Sequence, residues 1–191
     1  MTRLSIIGSL LLLAGAATAQ TPAGFTPEVA EHLDVIFGTK AASPPGTSFA
    51  KADVQKQPTI GTSDVALKGT YLWMMIDIDV PASFTAPTSG PRKTNLHAMI
   101  SGFKAGADQA SDGVNVLTST ATGPVKYVGP APPAENPPYA HRYVELLFET
   151  DDSFAVTTAD VGQTFGFDVN AFIAKVKLDP PIRANYFNVT G

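Results

Sequence analysis

Cysteine is missing from the sequence altogether. Its absence excludes disulfides, thiolate nucleophiles, thiolate-held zinc and iron–sulfur clusters together. Basic residues are also scarce, 13 Lys and Arg against 17 Asp and Glu, a balance that argues against a nucleic-acid partner and against adsorption to anionic membranes. The chain contains no G-x-S-x-G, H-E-x-x-H, Walker A or G-x-G-x-x-G pattern, so common hydrolase, metalloprotease and nucleotide-binding signatures are absent. No repeat, heptad or low-complexity segment is present, and nothing in the composition calls for a cofactor.

Long apolar runs are confined to the N-terminus. There Arg3 precedes an apolar block from Leu4 to Leu13 and a small-residue stretch ending Ala17-Thr18-Ala19. That order is a secretory signal peptide with cleavage expected after Ala19, and a secreted, extracellular product follows. A membrane anchor would need about 18 uninterrupted apolar residues, and Ser5, Gly8, Ser9 and Gly15 break this stretch. Residues 20–191 are then expected to form a single domain, and loss of Arg3 leaves 12 basic against 17 acidic side chains, a net charge of −5. Without disulfides, such a domain must rely on its own core.

Thr26-Pro27-Glu28 offers a helix start, and Val29, Leu33, Ile36 and Phe37 follow at helical spacing, so a short helix is expected to about Phe37. Residues 38–63, rich in Gly, Pro, Ser and Thr, read as irregular, which makes 20–63 an irregular N-terminal region with one helix. From Thr70 onward the pattern is one of strands: TYLWMMIDIDV (70–80), NLHAMISGF (95–103), PVKYVG (124–129) and HRYVELLFE (141–149). With turn-rich separators they predict a mainly antiparallel β protein. Asp168 is a plausible cap for a second helix that places Val169, Phe172, Ile173 and Val176 on one face.

Polar residues inside these strands are the candidate chemistry. In a regular strand Asp77 and Asp79 share a face with Tyr71, Trp73 and Met75. Either both cap the strand where it meets Pro81, or one lines a cavity and the other pairs with an arginine such as Arg142 or Arg92. His97 interrupts an apolar run and His141 begins one. Each reads as a hydrogen-bonded core histidine or as part of an acid–base or metal-binding set, and the spacing does not decide. Asn188-Val189-Thr190 is a glycosylation sequon, and if it is used that end lies on the surface.

DIDVP (77–81), LHAMI (96–100), YVGPAPP (127–133) followed by HRYVELLFE (141–149), and PPIRANYFN (180–188) resemble, in order, the blocks of the phosphatidylethanolamine-binding protein (PEBP) family. The resemblance spans roughly residues 60–188. It implies a large central antiparallel sheet flanked by a smaller sheet and a few peripheral helices, with a small pocket at one end that holds phosphate or phosphate-like anions. By block, Asp77, His97, Gly129, Ala131, Pro132, His141 and Tyr143 fall on that pocket. Ile78 stands where the family usually has proline and Ala131 where many members have glycine. The loop from Pro133 to His141 is a couple of residues longer than in mammalian members. The chain ends at Gly191, short of the C-terminal helix that borders the pocket in some relatives, which predicts a more open mouth.

The residues fit that placement. His141 and Tyr143 are two apart on one strand and face one way, with Arg142 facing the other. Prolines stiffen PAPPAENPP and deprive it of N–H donors. Such a loop preorganises a small anion site, with N–H groups at Gly129 or Ala131 and protonated His97 and His141 as donors. The expected function is secreted binding of a phosphorylated small molecule or phospholipid head group, without catalysis. Inhibition of a serine carboxypeptidase or another hydrolase, acting through residues 20–63, is the alternative. An esterase using His97, His141 and Asp77 is the second, with no nucleophile assigned.

Overall fold

A computed structural model describes residues 19–109 and 113–191. The signal-peptide stretch therefore lies, but for Ala19, outside the described residues. Among the described residues ten strands form a continuous hydrogen-bonded system: β1 (Asp34–Phe37), β2 (Lys40–Ala41), β3 (Thr47–Phe49), β4 (Thr59–Thr62), β5 (Thr70–Val80), β6 (Lys93–Gln109), β7 (Asn115–Thr118), β8 (Pro124–Val125), β9 (Ala140–Thr150) and β10 (Arg183–Thr190). Their order is β2-β1-β4-β7-β6-β5-β9-β10-β3, with β8 on β6. All pairs are antiparallel except β10 with β3. Two short helices, α1 (Thr158–Val161) and α2 (Val169–Val176), complete the framework.

β6 belongs to two sheets. Its first half pairs with β5 and β8, and its second half with β7. The change occurs near Gly102, where Ile100 pairs with Trp73 but Phe103 pairs with Tyr71. That leaves an extra residue in the strand, and Gly102 takes φ +73°, a conformation glycine adopts without strain. A larger sheet (β3, β10, β9, β5, β6, β8) and a smaller one (β6, β7, β4, β1, β2) result.

Both faces of β5 are buried, which accounts for its unbroken apolar run. Tyr71, Trp73 and Met75 face a core between the two sheets with Val35, Phe37, Ile60, Leu117, Leu147 and Phe187. Leu72, Met74 and Ile76 face a second core under α2 with Leu146, Phe148, Phe167 and Phe172. Each such fully buried side chain contributes about 1.5–3 kcal/mol. Asp168 caps α2 as its sequence predicts, accepting from the backbone N–H groups of Asn170 and Ala171.

The helix expected over 26–37 does not form. Val35, Ile36 and Phe37 are all buried in β1, and the chain before it lies along β10, with Leu33 N donating to Ala184 O at 2.8 Å and Ala184 N to Glu31 O at 3.0 Å. Consecutive buried β-branched and aromatic residues favour a strand once a sheet is there to receive them. Nor is 38–63 irregular throughout. It supplies β2, β3, β4 and a 3₁₀ turn (Lys51–Val54), and buries Phe49, Val54 and Ile60. The strand expected over 124–129 shortens to Pro124–Val125, after which Val128 N bonds His97 O.

Candidate functional site

Two irregularities in the sheet build the site. Opposite β5, Met75 pairs with Ala98 and Ile76 with Leu96, so His97 is an extra residue in β6. A bulge of this kind re-aims a side chain, and Asn95 and His97 both line one cavity as a result. A second shift lies between Asp77 and Val80. It breaks the shared face expected for Asp77 and Asp79. Asp77 lines the cavity, while Asp79 is held by Arg142 in a two-pronged contact, Nε to Oδ2 at 2.7 Å and Nη2 to Oδ1 at 2.8 Å.

The cavity, about 190 Å3, is also lined by Val80, Phe84, Val128, Gly129, Ala131, Pro132, Pro133, His141 and Tyr143. All seven residues singled out in the sequence thus lie on one cavity. Gly129 passes so close to Gln55 that a Cβ there would sit 2.9 Å from the Gln55 Cα. The same glutamine donates to Pro130 O at 2.9 Å, fixing the loop's entry. The sequon lies apart from this: Asn188 is within β10, and its Nδ2, the atom a glycan would modify, donates to Gly46 O at 2.7 Å.

His141 is the centre of the polar network. Its Nδ1 meets Asp77 Oδ2 at 2.8 Å and its Nε2 meets Glu135 Oε1 at 2.9 Å, all three groups being buried. Burial alone would pull the imidazole pKa down, but the two carboxylates outweigh it and the net shift is upward. Both N–H groups therefore donate to carboxylates of the same chain. This corrects the expectation that His141 is a free donor for an anion.

Glu135 is in turn gripped by Arg92, Nη1 to Oε1 and Nη2 to Oε2, both at 2.8 Å. That guanidinium holds the Glu135 carboxyl down at about 2, against burial and with His141 assisting. Arg92 also donates to Asp79 O at 3.0 Å and lies 3.9 Å over the Tyr139 ring. With His141 protonated, three cations (Arg92, Arg142, His141) face three carboxylates (Asp77, Asp79, Glu135), and the network is neutral.

Two cavity groups keep capacity in hand. His97 Nδ1 is 2.8 Å from Val128 O, and since a carbonyl only accepts, the proton is on Nδ1 and Nε2 carries the lone pair of the neutral ring. Tyr143 is fully buried, stacked on Phe187 and edge-on to His97. Its hydroxyl has no partner in good hydrogen-bond geometry, Asp77 being the acceptor that acts on it, and burial, followed by the Asp77 charge, pushes the phenol pKa up. No serine, threonine or cysteine among the described residues lines the cavity. Among the described residues no cluster of three His, Cys, Asp or Glu is placed to hold a metal ion, and no helix is long and apolar enough to cross a membrane.

Glu135 escaped the sequence reading, as did the clamp Arg92 forms on it. A signal existed: Glu135 is the only charged residue between Tyr127 and Ala140, in a loop otherwise made of prolines and small or neutral residues.

Comparison with known proteins agrees with this architecture. The family model for phosphatidylethanolamine-binding protein matches residues 37–187. The chain is 27% identical over 201 aligned residues to phomoidride biosynthesis cluster protein N of Talaromyces stipitatus, with 93% of each chain covered. Its fold is similar to that of a carboxypeptidase Y inhibitor solved in complex with its cognate proteinase (TM-score 0.60, 15% identity, 85% of this chain and 84% of that one). A phosphatidylethanolamine-binding protein from Plasmodium vivax is similar too (TM-score 0.54, 16% identity, 82% and 83% covered). The match of the family model over residues 37–187, most of the chain, makes this protein a member of the phosphatidylethanolamine-binding protein family.

Proposed function

We propose that the protein is an exported, non-catalytic binding protein that takes the anionic head of a small phosphorylated molecule, a phospholipid head group included, into the cavity between β5, β6 and β9. The Tyr143 hydroxyl supports this most directly. Tyr143 lines the cavity, its buried hydroxyl has Asp77 beside it but no partner in good hydrogen-bond geometry, and leaving such a group poorly satisfied costs about 1–3 kcal/mol unless something binds it. His97 Nε2 on the same wall gives a second contact, and it donates once the ring is protonated. The apolar rest of the lining, Val80, Phe84, Val128 and the prolines, suits the body of an amphiphilic ligand.

The absence of serine, threonine and cysteine from the lining supports binding over ester hydrolysis. Tyr143 alone could attack, and its raised pKa makes it a poor nucleophile at neutral pH. Carboxypeptidase inhibition has a shared fold behind it, and a titration against carboxypeptidase Y is its test. Residues 20–63 are built into the core, so removing 20–40 would unfold the protein before it probed an interface.

Calorimetric titration with phosphorylethanolamine and inorganic phosphate tests the binding reading. Trp73 fluorescence gives a second readout, since its ring stacks on Tyr127 at the root of the cavity loop. Saturable binding weakened by Tyr143→Phe is expected; no binding of either compound would overturn the proposal. N-terminal sequencing of the exported protein should begin at Gln20.

A further inference from the structure

The loop from Ala131 to Pro138 is held to the body in an unusual way. Four of its eight residues are prolines and supply no N–H. The side-chain hydrogen bonds made from this stretch all come from Glu135. That carboxylate sits in a seat of two cations, Arg92 supplying a planar fork and His141 a third N–H, and its side chain is 1% exposed. This is the geometry by which proteins hold a foreign carboxylate or phosphate. A further anion placed beside the neutral network would find its cations already matched by carboxylates, Asp77 and Glu135 among them, and would leave an excess negative charge; one that replaced Glu135 would leave the charge balanced.

We propose that Glu135 is a resident anion: its carboxylate fills the oxyanion seat of Arg92 and His141 Nε2, and a ligand's carboxylate or phosphate enters by exchange, sending Glu135 and the 131–138 loop out to water. The inference rests on the anion-binding reading above and adds to it a competitor carried on the chain. It also explains the loop's construction. A stiff segment whose side-chain hydrogen bonds all come from one residue has one polar anchor to lose, and its few backbone donors leave little else to satisfy when it moves.

Exchange makes the apparent affinity the intrinsic one reduced by the fraction of time the seat is free. Calorimetry of wild type and Glu135→Gln with inorganic phosphate, acetate and phosphorylethanolamine measures that fraction. The variant is expected to bind at least one of the three about tenfold tighter, as for a seat free a tenth of the time. Acetate or phosphate alone would identify a simple oxyanion as sufficient; phosphorylethanolamine alone would assign the seat to head groups. In the unmodified protein, saturating phosphate or phosphorylethanolamine should also speed hydrogen exchange at the amides of Ala134, Glu135 and Asn136.

Wild-type binding that Glu135→Gln leaves equal or weaker would overturn the exchange while the binding reading stands. No binding by either protein would end both. Should the variant not fold, the wild-type exchange experiment decides: faster exchange with ligand upholds the proposal, and unchanged or slower exchange defeats it.

Discussion

Glu135 and Glu145 are both buried glutamates close to His141 in the chain, yet they sit in opposite ionisation states near neutral pH. Glu135 meets an arginine fork and an imidazolium, and its carboxyl is held down at about 2. Glu145 lies between the two sheets with one hydrogen bond, from Trp73 Nε1 to Oε2 at 2.9 Å, and its Oε1 has no partner. Burial pushes its carboxyl up to about 8, the tryptophan offsetting only part of that. Burial is common to both, so the partners decide. One glutamate is a charge in a balanced network, and the other is a neutral acid in an apolar core.

Breaking the charged side should have the largest effect. Arg92→Met removes the fork and leaves Glu135 and Asp77 to share a single imidazolium. Cutting one partner from a buried pair costs about 3–5 kcal/mol, and the lower figure is expected here because Arg92 keeps 19% of its side chain in water. Urea unfolding at pH 7 would show it as a fall in midpoint at constant slope. A change below about 1 kcal/mol would mean the fork contributes little beyond a surface pair.

The pH dependence sharpens the contrast at the next scale. Glu135 has a folded pKa below its unfolded one, so its contribution is complete above about 4.5 and is lost as pH falls toward 2. Glu145 has the reverse shift. It binds a proton more tightly folded than unfolded, so stability declines as pH rises from 4.5 to about 8. His141, raised above 6.5, adds to the alkaline decline, its contribution being full below 6.5 and lost as pH rises through the raised value. Glu145→Gln imitates the neutral acid. It should unfold within about 1 kcal/mol of wild type near pH 4 and gain about 2 kcal/mol on wild type between pH 6 and pH 8, retaining only the His141 part of the slope. Glu135→Gln should leave the alkaline limb due to Glu145 in place and flatten the acid one.

The contrast also shows what the sequence could carry. The strands β5, β9 and most of β6, and the cap of α2 at Asp168, were legible because local pattern and final burial agree there. All seven cavity residues were legible through the ordered blocks of the family, although the bulge that turns His97 inward has no local signature. The region 26–37 misled because its apolar spacing suits a helix, while its pairing partner, β4, lies more than twenty residues away. Glu145 looked like one acid in an apolar run, and nothing local reveals that it meets Trp73, 72 residues earlier. Glu135 has two partners, Arg92 before β6 and His141 on β9, and no spacing rule joins the three residues.

The smallest expected effect concerns how Arg92 is aimed. Its guanidinium carbon lies 3.9 Å from the centre of the Tyr139 ring, which also meets His141 edge-on at 6.4 Å between centroids. Tyr139 is 38% exposed, so the cation–π attraction is partly screened and worth about 0.5–1 kcal/mol. Tyr139→Leu keeps apolar cover over the guanidinium and removes the ring's electrostatics together with the long contact, 3.5 Å, from its hydroxyl to Asp79 Oδ1. Stability at pH 7 should fall by that small amount while the acid limb due to Glu135 stays where it is, because the fork on Glu135 remains. If the acid limb instead moves toward neutral pH, Tyr139 is holding the fork in register, and the low pKa of Glu135 depends on the whole loop rather than on Arg92 and His141 alone.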